Sequence, residues 1–161
     1  MSRRCMLRWM AAALVIQSLL LFGCDRGFSY HPEGWSHQGK GSGWKKELPG
    51  MTLRTWGIFG LNGSGAVSME FEVTNKTTET MILEAVTLVT RRSSYPLPLA
   101  SLSHDAGWRT IPPGGGRRMP MMWSRDASEP MPEWLGQSPK VILDLGGGPR
   151  IRKIEIPYVP R

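Results

Sequence analysis

Residues 67–74 constrain this chain more than any other stretch. Val67, Met69, Phe71 and Val73 alternate with Ser68, Glu70, Glu72 and Thr74. A period of two puts all four apolar side chains on one face of an extended strand. A helix would need a period near 3.6 to do the same. The segment therefore reads as a strand with one face on a core and one in water. Residues 80–90 follow as a second strand, rich in β-branched side chains. Pro96 and Pro98 then exclude a long helix.

The same signals recur along the chain. Residues 51–56 alternate, and residues 60–65 are turn material. Residues 108–111, 117–123, 140–145 and 151–158 read as further strands. They are divided by Pro112-Pro113-Gly114-Gly115-Gly116 and by Gly146-Gly147-Gly148-Pro149. Pro157 and Pro160 suit an edge or an end. Only residues 127–135 leave room for a helical turn, and Pro130 and Pro132 limit it. Seven or so short strands with Gly/Pro turns imply an all-β domain over residues 51–161. The expected form is an immunoglobulin-like antiparallel β-sandwich.

Residues 24–50 look different. They are rich in Gly and Ser, include Pro32 and Pro49, and show no sustained hydrophobic period. That composition reads as a flexible tether. Trp35 and Trp44 stand out, as side chains that pack on the domain or touch a bilayer interface. His31 and His37 are six residues apart and read as solvated rather than as a metal pair.

Residues 1–23 read as a secretory signal. Arg3, Arg4 and Arg8 give a positive start, residues 9–22 are mostly apolar, and Gly23-Cys24 ends the run. A spanning helix needs about 20 apolar residues, and this run is shorter. Leu21-Phe22-Gly23-Cys24 resembles the lipobox of bacterial lipoproteins. The resemblance implies cleavage before Cys24 and acylation of its sulfur and of the new amino terminus. It also implies a cell-envelope location, lipid-anchored, with the domain facing the periplasm or exterior. Asp25 resembles an inner-membrane retention signal. Ser2-Arg3-Arg4-Cys5-Met6-Leu7-Arg8 resembles a twin-arginine export signal; the alternative is a basic start for general secretion.

The full chain carries a net charge of +7. Without Arg3, Arg4 and Arg8, 17 basic residues face 13 acidic ones. The basic residues come as pairs, such as Lys45-Lys46 and Arg117-Arg118, not as a dense run. They suit a surface facing anionic headgroups, and no nucleic-acid partner is expected. The chain has two cysteines. Cys5 leaves with the signal and Cys24 takes lipid, so the mature chain has no thiol for a disulfide or thiolate metal site.

Little in the chain suggests catalysis. Gly34-Trp35-Ser36-His37-Gln38-Gly39-Lys40 has phosphate-loop glycine spacing, but Gly41 follows where Ser or Thr is needed. His104 is the one histidine of residues 51–161, and its neighbour Asp105 would point elsewhere on a strand. No nucleophile, base and orienter can be named together, so no enzyme is expected.

One cluster carries a metal hypothesis. Met119-Pro120-Met121-Met122-Trp123 lies between His104 and Met131. Thioethers with an imidazole suit Cu(I). The pattern Ile111-Pro112-Pro113-Gly114-Gly115, a Met-bearing strand, Val141-Ile142-Leu143-Asp144-Leu145 and Ile154-Glu155-Ile156-Pro157 resembles periplasmic copper chaperones of the Met/His cupredoxin-like type. The resemblance implies copper binding or delivery by His104, Met119, Met121 and Met122. The competing reading is that Met119 and Met121 share one face of a strand and fill the core. The expected function is a membrane-anchored, non-enzymatic binding or assembly module with an envelope protein partner. Copper delivery is the alternative.

Overall fold

The period-two segments are strands, and shorter strands join them to make eleven among the described residues. They are β1 (Gly27–Pro32), β2 (Ser36–His37), β3 (Trp44–Leu48), β4 (Met51–Leu61), β5 (Ala66–Asn75) and β6 (Met81–Val89). There follow β7 (Ser94–Pro96), β8 (Thr110–Ile111), β9 (Gly116–Ser124), β10 (Lys140–Gly146) and β11 (Arg152–Pro160). A single helical turn, α1 (Met131–Leu135), precedes β10. The structure, a computed structural model, describes residues 27–61, 65–97, 106–125, 128, 131–147 and 152–161. Residues 1–26, with the expected signal and Cys24, and His104 lie outside the described residues.

The all-β, antiparallel expectation holds, with more strands than the seven or so read from sequence. All eleven strands belong to one hydrogen-bonded sheet that curls around a shared core. One half contains β9, β5, β4, β3, β2 and β1. The other contains β10, β6, β7 and β8. β11 belongs to both halves, so they are not hydrogen-bonded leaves apart. Its residues 152–157 pair with β10, and 158–160 pair with β1. Pro157 stands at the handover, where a residue without an N–H costs no ladder bond. Its carbonyl accepts the Glu33 N–H at 2.9 Å, and Tyr158 N donates to the Pro139 carbonyl at 2.8 Å.

Residues 27–48 are not a tether. Gly27–Tyr30 pairs with Leu61–Ile58 of β4, and Trp44–Leu48 pairs with Thr55–Met51 on the same edge of that strand. Tyr30 is buried, and Trp44 packs between His31 and His37. The glycines that suggested a linker are turn residues. Gly39 and Gly43 close the hairpin between β2 and β3, with Gln38 N donating to Gly43 O at 2.9 Å. These strands are two to six residues long, too short to display a hydrophobic period.

Inside, alternation is kept. Val67, Met69, Phe71 and Val73 of β5 are buried, and so are Val86 and Leu88 of β6 and Leu143 of β10. Tyr158 is fully buried between the halves. Its hydroxyl lies 3.2 Å from Thr55 Oγ1 and 3.7 Å from Met69 Sδ. Burial pushes its phenol well above the ordinary tyrosine range, so it stays neutral. Asn75 closes β5 with every polar atom satisfied. Its Nδ2 donates to the Glu79 and Ile111 carbonyls, and its Oδ1 accepts from Thr77 N and Thr77 Oγ1. Residues 108–111 depart from expectation: Ala106–Arg109 is a 3-10 turn, and Thr110–Ile111 alone is strand.

Candidate functional site

The methionine cluster divides between two environments. Met119 and Met121 of β9 sit opposite Phe71 and Met69 of β5 and are buried. Met122 sits opposite Ser68 and is 61% exposed. Successive side chains of a strand point to opposite faces, so these three sulfurs do not converge on one ion. His104 is outside the described residues, as is the side chain of Met131. Met119 and Met121 therefore serve as core filling, and the proposed ligand set is not assembled on β9. Among the described residues no group of three His, Cys, Asp or Glu side chains converges either.

Met122 belongs instead to an outward face built by β9, β5 and β4. A bulge in β4 makes that face. The pairing of β4 with β5 shifts between Thr55 and Gly57, with Trp56 as the extra residue. One inserted residue flips every later side chain to the other side of the sheet. Without it, Ile58 would point out with Arg54 and Trp56. With it, Ile58 is buried, while Phe59 and Leu61 point out at 40% and 47% exposure. Gly57 permits the turn of backbone, at φ 100°. A Cβ there would lie 2.4 Å from the Tyr30 carbonyl oxygen. Thr55 steadies the bulge by donating Oγ1 to the Glu70 carbonyl at 3.0 Å and accepting the Gly57 N–H at 3.2 Å.

Register sets the rows of the face. Met122, Ser68, Phe59 and Ser29 lie side by side across β9, β5, β4 and β1. Such a row spans about 14 Å at the usual strand spacing. One step toward the strand ends, Leu61 lies opposite Gly27. In the other direction comes charge. Arg118 donates Nε and Nη2 to the Glu70 carboxylate, the latter at 2.6 Å, and lies 4.1 Å over the Trp56 ring. Glu72 pairs with Arg54 at 3.6 Å. A planar guanidinium satisfies both contacts of Arg118 at once, which an ammonium would not. Between the apolar and charged ends is a shallow depression of about 480 Å³, lined by Trp56, Phe59, Ser68, Glu70, Pro120 and Met122.

Two other clusters border this face: Trp44 meets it at Gly57 beside Phe59, and Glu47 lies opposite Thr52 of β4. Glu47 accepts from Lys45 at 2.7 Å, Lys76 at 2.6 Å and Thr52 at 2.6 Å. The Lys45 and Lys76 ammonium groups, then the Thr52 hydroxyl, hold its carboxyl well below the ordinary range, at about 2. His31 stacks on Trp44 at 5.7 Å, and His37 meets the same ring edge-on at 5.1 Å. The Arg161 guanidinium lies 5.9 Å from the centre of that ring. A larger depression, about 700 Å³, lies beside α1 and includes Thr90, Arg91, Glu133 and Gln137. Thr90 there is engaged by its own turn, accepting from Arg92 N and Ser93 N.

Sequence reading did not find Phe59 and Leu61. The available signal was Gly57 inside an apolar run, since a lone glycine within a strand often marks a bulge.

No family model matches the chain, and no curated protein matches it. A crystal structure of a conserved hypothetical protein from Bacillus anthracis is similar at TM-score 0.39 and 14% identity, covering 78% of this chain and 97% of that one. A likeness at that level carries no argument about function. No helix among the described residues is long and apolar enough to cross a membrane.

Proposed function

We propose that this protein is a membrane-anchored envelope lipoprotein whose folded body is a non-enzymatic binding module. Its binding surface is the outward face of β9, β5 and β4. The observation that carries the reading is the group of exposed apolar side chains there: Phe59 at 40%, Leu61 at 47% and Met122 at 61%. A sheet face in water is normally polar, and a group of exposed apolar side chains at a polar rim marks an interaction site. The bulge that turns Phe59 and Leu61 outward also supports it, since bulges commonly re-aim side chains. The anchor rests on Cys24 and the signal before it. Acyl chains would hold the module at a membrane, because each buried methylene contributes about 0.8 kcal/mol.

Photo-crosslinking in the producing cell tests the binding face. A benzophenone side chain replaces Met122 in one variant and Glu155, an exposed residue of β11, in another. Adducts from position 122 and not from 155 are expected. Equal or absent adducts at the two positions would end the reading of this face. Mass spectrometry of the purified protein tests the anchor. Acyl groups on Cys24 are expected, and an unmodified Cys24 would overturn it.

A further inference from the structure

We infer that the ligand of this outward face is the membrane surface itself, so that the module lies on the bilayer with Phe59, Leu61 and Met122 seated among the headgroups. The inference rests on the reading above, in both the face and the acylated Cys24. What carries it further is where the described chain begins. β1 starts at Gly27, and Gly27 is the register partner of Leu61, while Ser29 is the partner of Phe59. Cys24 is three residues before Gly27. Three residues span at most roughly 10 Å of extended chain. Lipid on Cys24 thus holds the Leu61 end of the face within reach of the headgroup boundary. It does not hold the far end of the molecule there.

The grading of the face fits that orientation. Beside the entry point are Leu61 and Phe59, and Met122 lies in the row of Phe59, two strands further across the face; all three are exposed. Further from it come Trp56 under Arg118, then the Arg54–Glu72 pair. Apolar tips nearest the anchor, an indole behind them and charges beyond reproduce the order of environments met on leaving a bilayer. At the same end Arg125 donates Nη2 to the Leu61 carbonyl at 2.9 Å, placing a cation at the apolar border. The shallow depression has no buried polar group convergent on a ligand, which suits a fluid surface better than a shaped molecule. Short tethering also raises the effective concentration of the face at the bilayer, so a weak intrinsic affinity suffices.

The test uses the acylated full-length product in vesicles of phosphatidylethanolamine and phosphatidylglycerol. Cys5 leaves with the signal and Cys24 is blocked by lipid, so one introduced thiol can be labelled selectively. An environment-sensitive fluorophore is placed at Met122→Cys or at Glu155→Cys. Quenching by brominated acyl chains at position 122 is expected to exceed that at 155 by roughly fivefold, as for side chains 5–10 Å into the interface. Adding Phe59→Ser and Leu61→Ser should bring the two positions together while flotation with vesicles persists. A water-like signal at 122 in floating protein would overturn the inference and leave the anchor intact. A blue-shifted signal at 122 that brominated lipid does not quench would overturn it in favour of a protein, including a second copy, on this face. Failure to float, with Cys24 unmodified, would overturn anchor and inference together.

Discussion

The two faces of β9 and its neighbours carry similar side chains and opposite obligations. Inward, Met119, Met121, Met69 and Phe71 are buried against one another and the rest of the core. Outward, Met122, Phe59 and Leu61 meet solvent. The inner set is explained by folding alone, because removing apolar area from water stabilises the domain. The outer set gains less from folding and leaves apolar area wet. Composition cannot separate the two sets. The pleat of the strand and one bulge do.

The comparison can be broken most sharply from the inside. Phe71→Ala empties a fully buried site and should cost about 3–5 kcal/mol, read by denaturant unfolding. A loss under about 1 kcal/mol would mean that the inner face is not close-packed. Gly57→Ala attacks the bulge that separates the faces. It combines a left-handed backbone with a Cβ 2.4 Å from the Tyr30 carbonyl oxygen. About 1–3 kcal/mol should be lost, together with the crosslinks from position 122.

Much of this division was legible in the sequence. Alternation in residues 67–74 and 117–123 places Met119 and Met121 inside with Phe71, as found. The outer face was not legible, because a bulge is a property of two paired strands. Gly57 hints at a bulge, but only the pairing with β5 shows that Trp56 is the residue skipped. The first three strands were missed for a different reason. β1 is held by β4 and β11, β3 by β4, and β2 by β3, so their order comes from tertiary pairing that composition does not reveal. Low hydrophobicity with glycine reads as linker until a neighbouring strand supplies the hydrogen bonds.

The outer face should respond in the opposite way to the inner one. Phe59→Ser and Met122→Ser should leave unfolding within about ±0.5 kcal/mol of the parent, as surface changes do. Crosslinks and vesicle contact should nevertheless fall. A large stability loss would show that these side chains belong to the fold instead.

The smallest expected effect lies outside both apolar sets, at Glu47. Its folded-state pKa is held near 2 by Lys45, Lys76 and Thr52, below that of an unpaired carboxyl. Its contribution is therefore complete above the ordinary carboxylate range and is lost as pH falls from there toward about 2. The stability gap between the parent and Glu47→Gln should close across that window. A constant gap would indicate that charge plays no part in it.

Oxidation of the methionines compares the two faces in one experiment. Peroxide is applied to the purified protein and to the producing cell's membranes, and sulfoxide is mapped by peptide. Met119 and Met121 should resist in both, being buried at 0% and 2% exposure. Met122 should oxidise readily in the purified protein and be protected several-fold in membranes. Equal oxidation of Met122 in both settings would contradict the claim that this face is covered where the protein works.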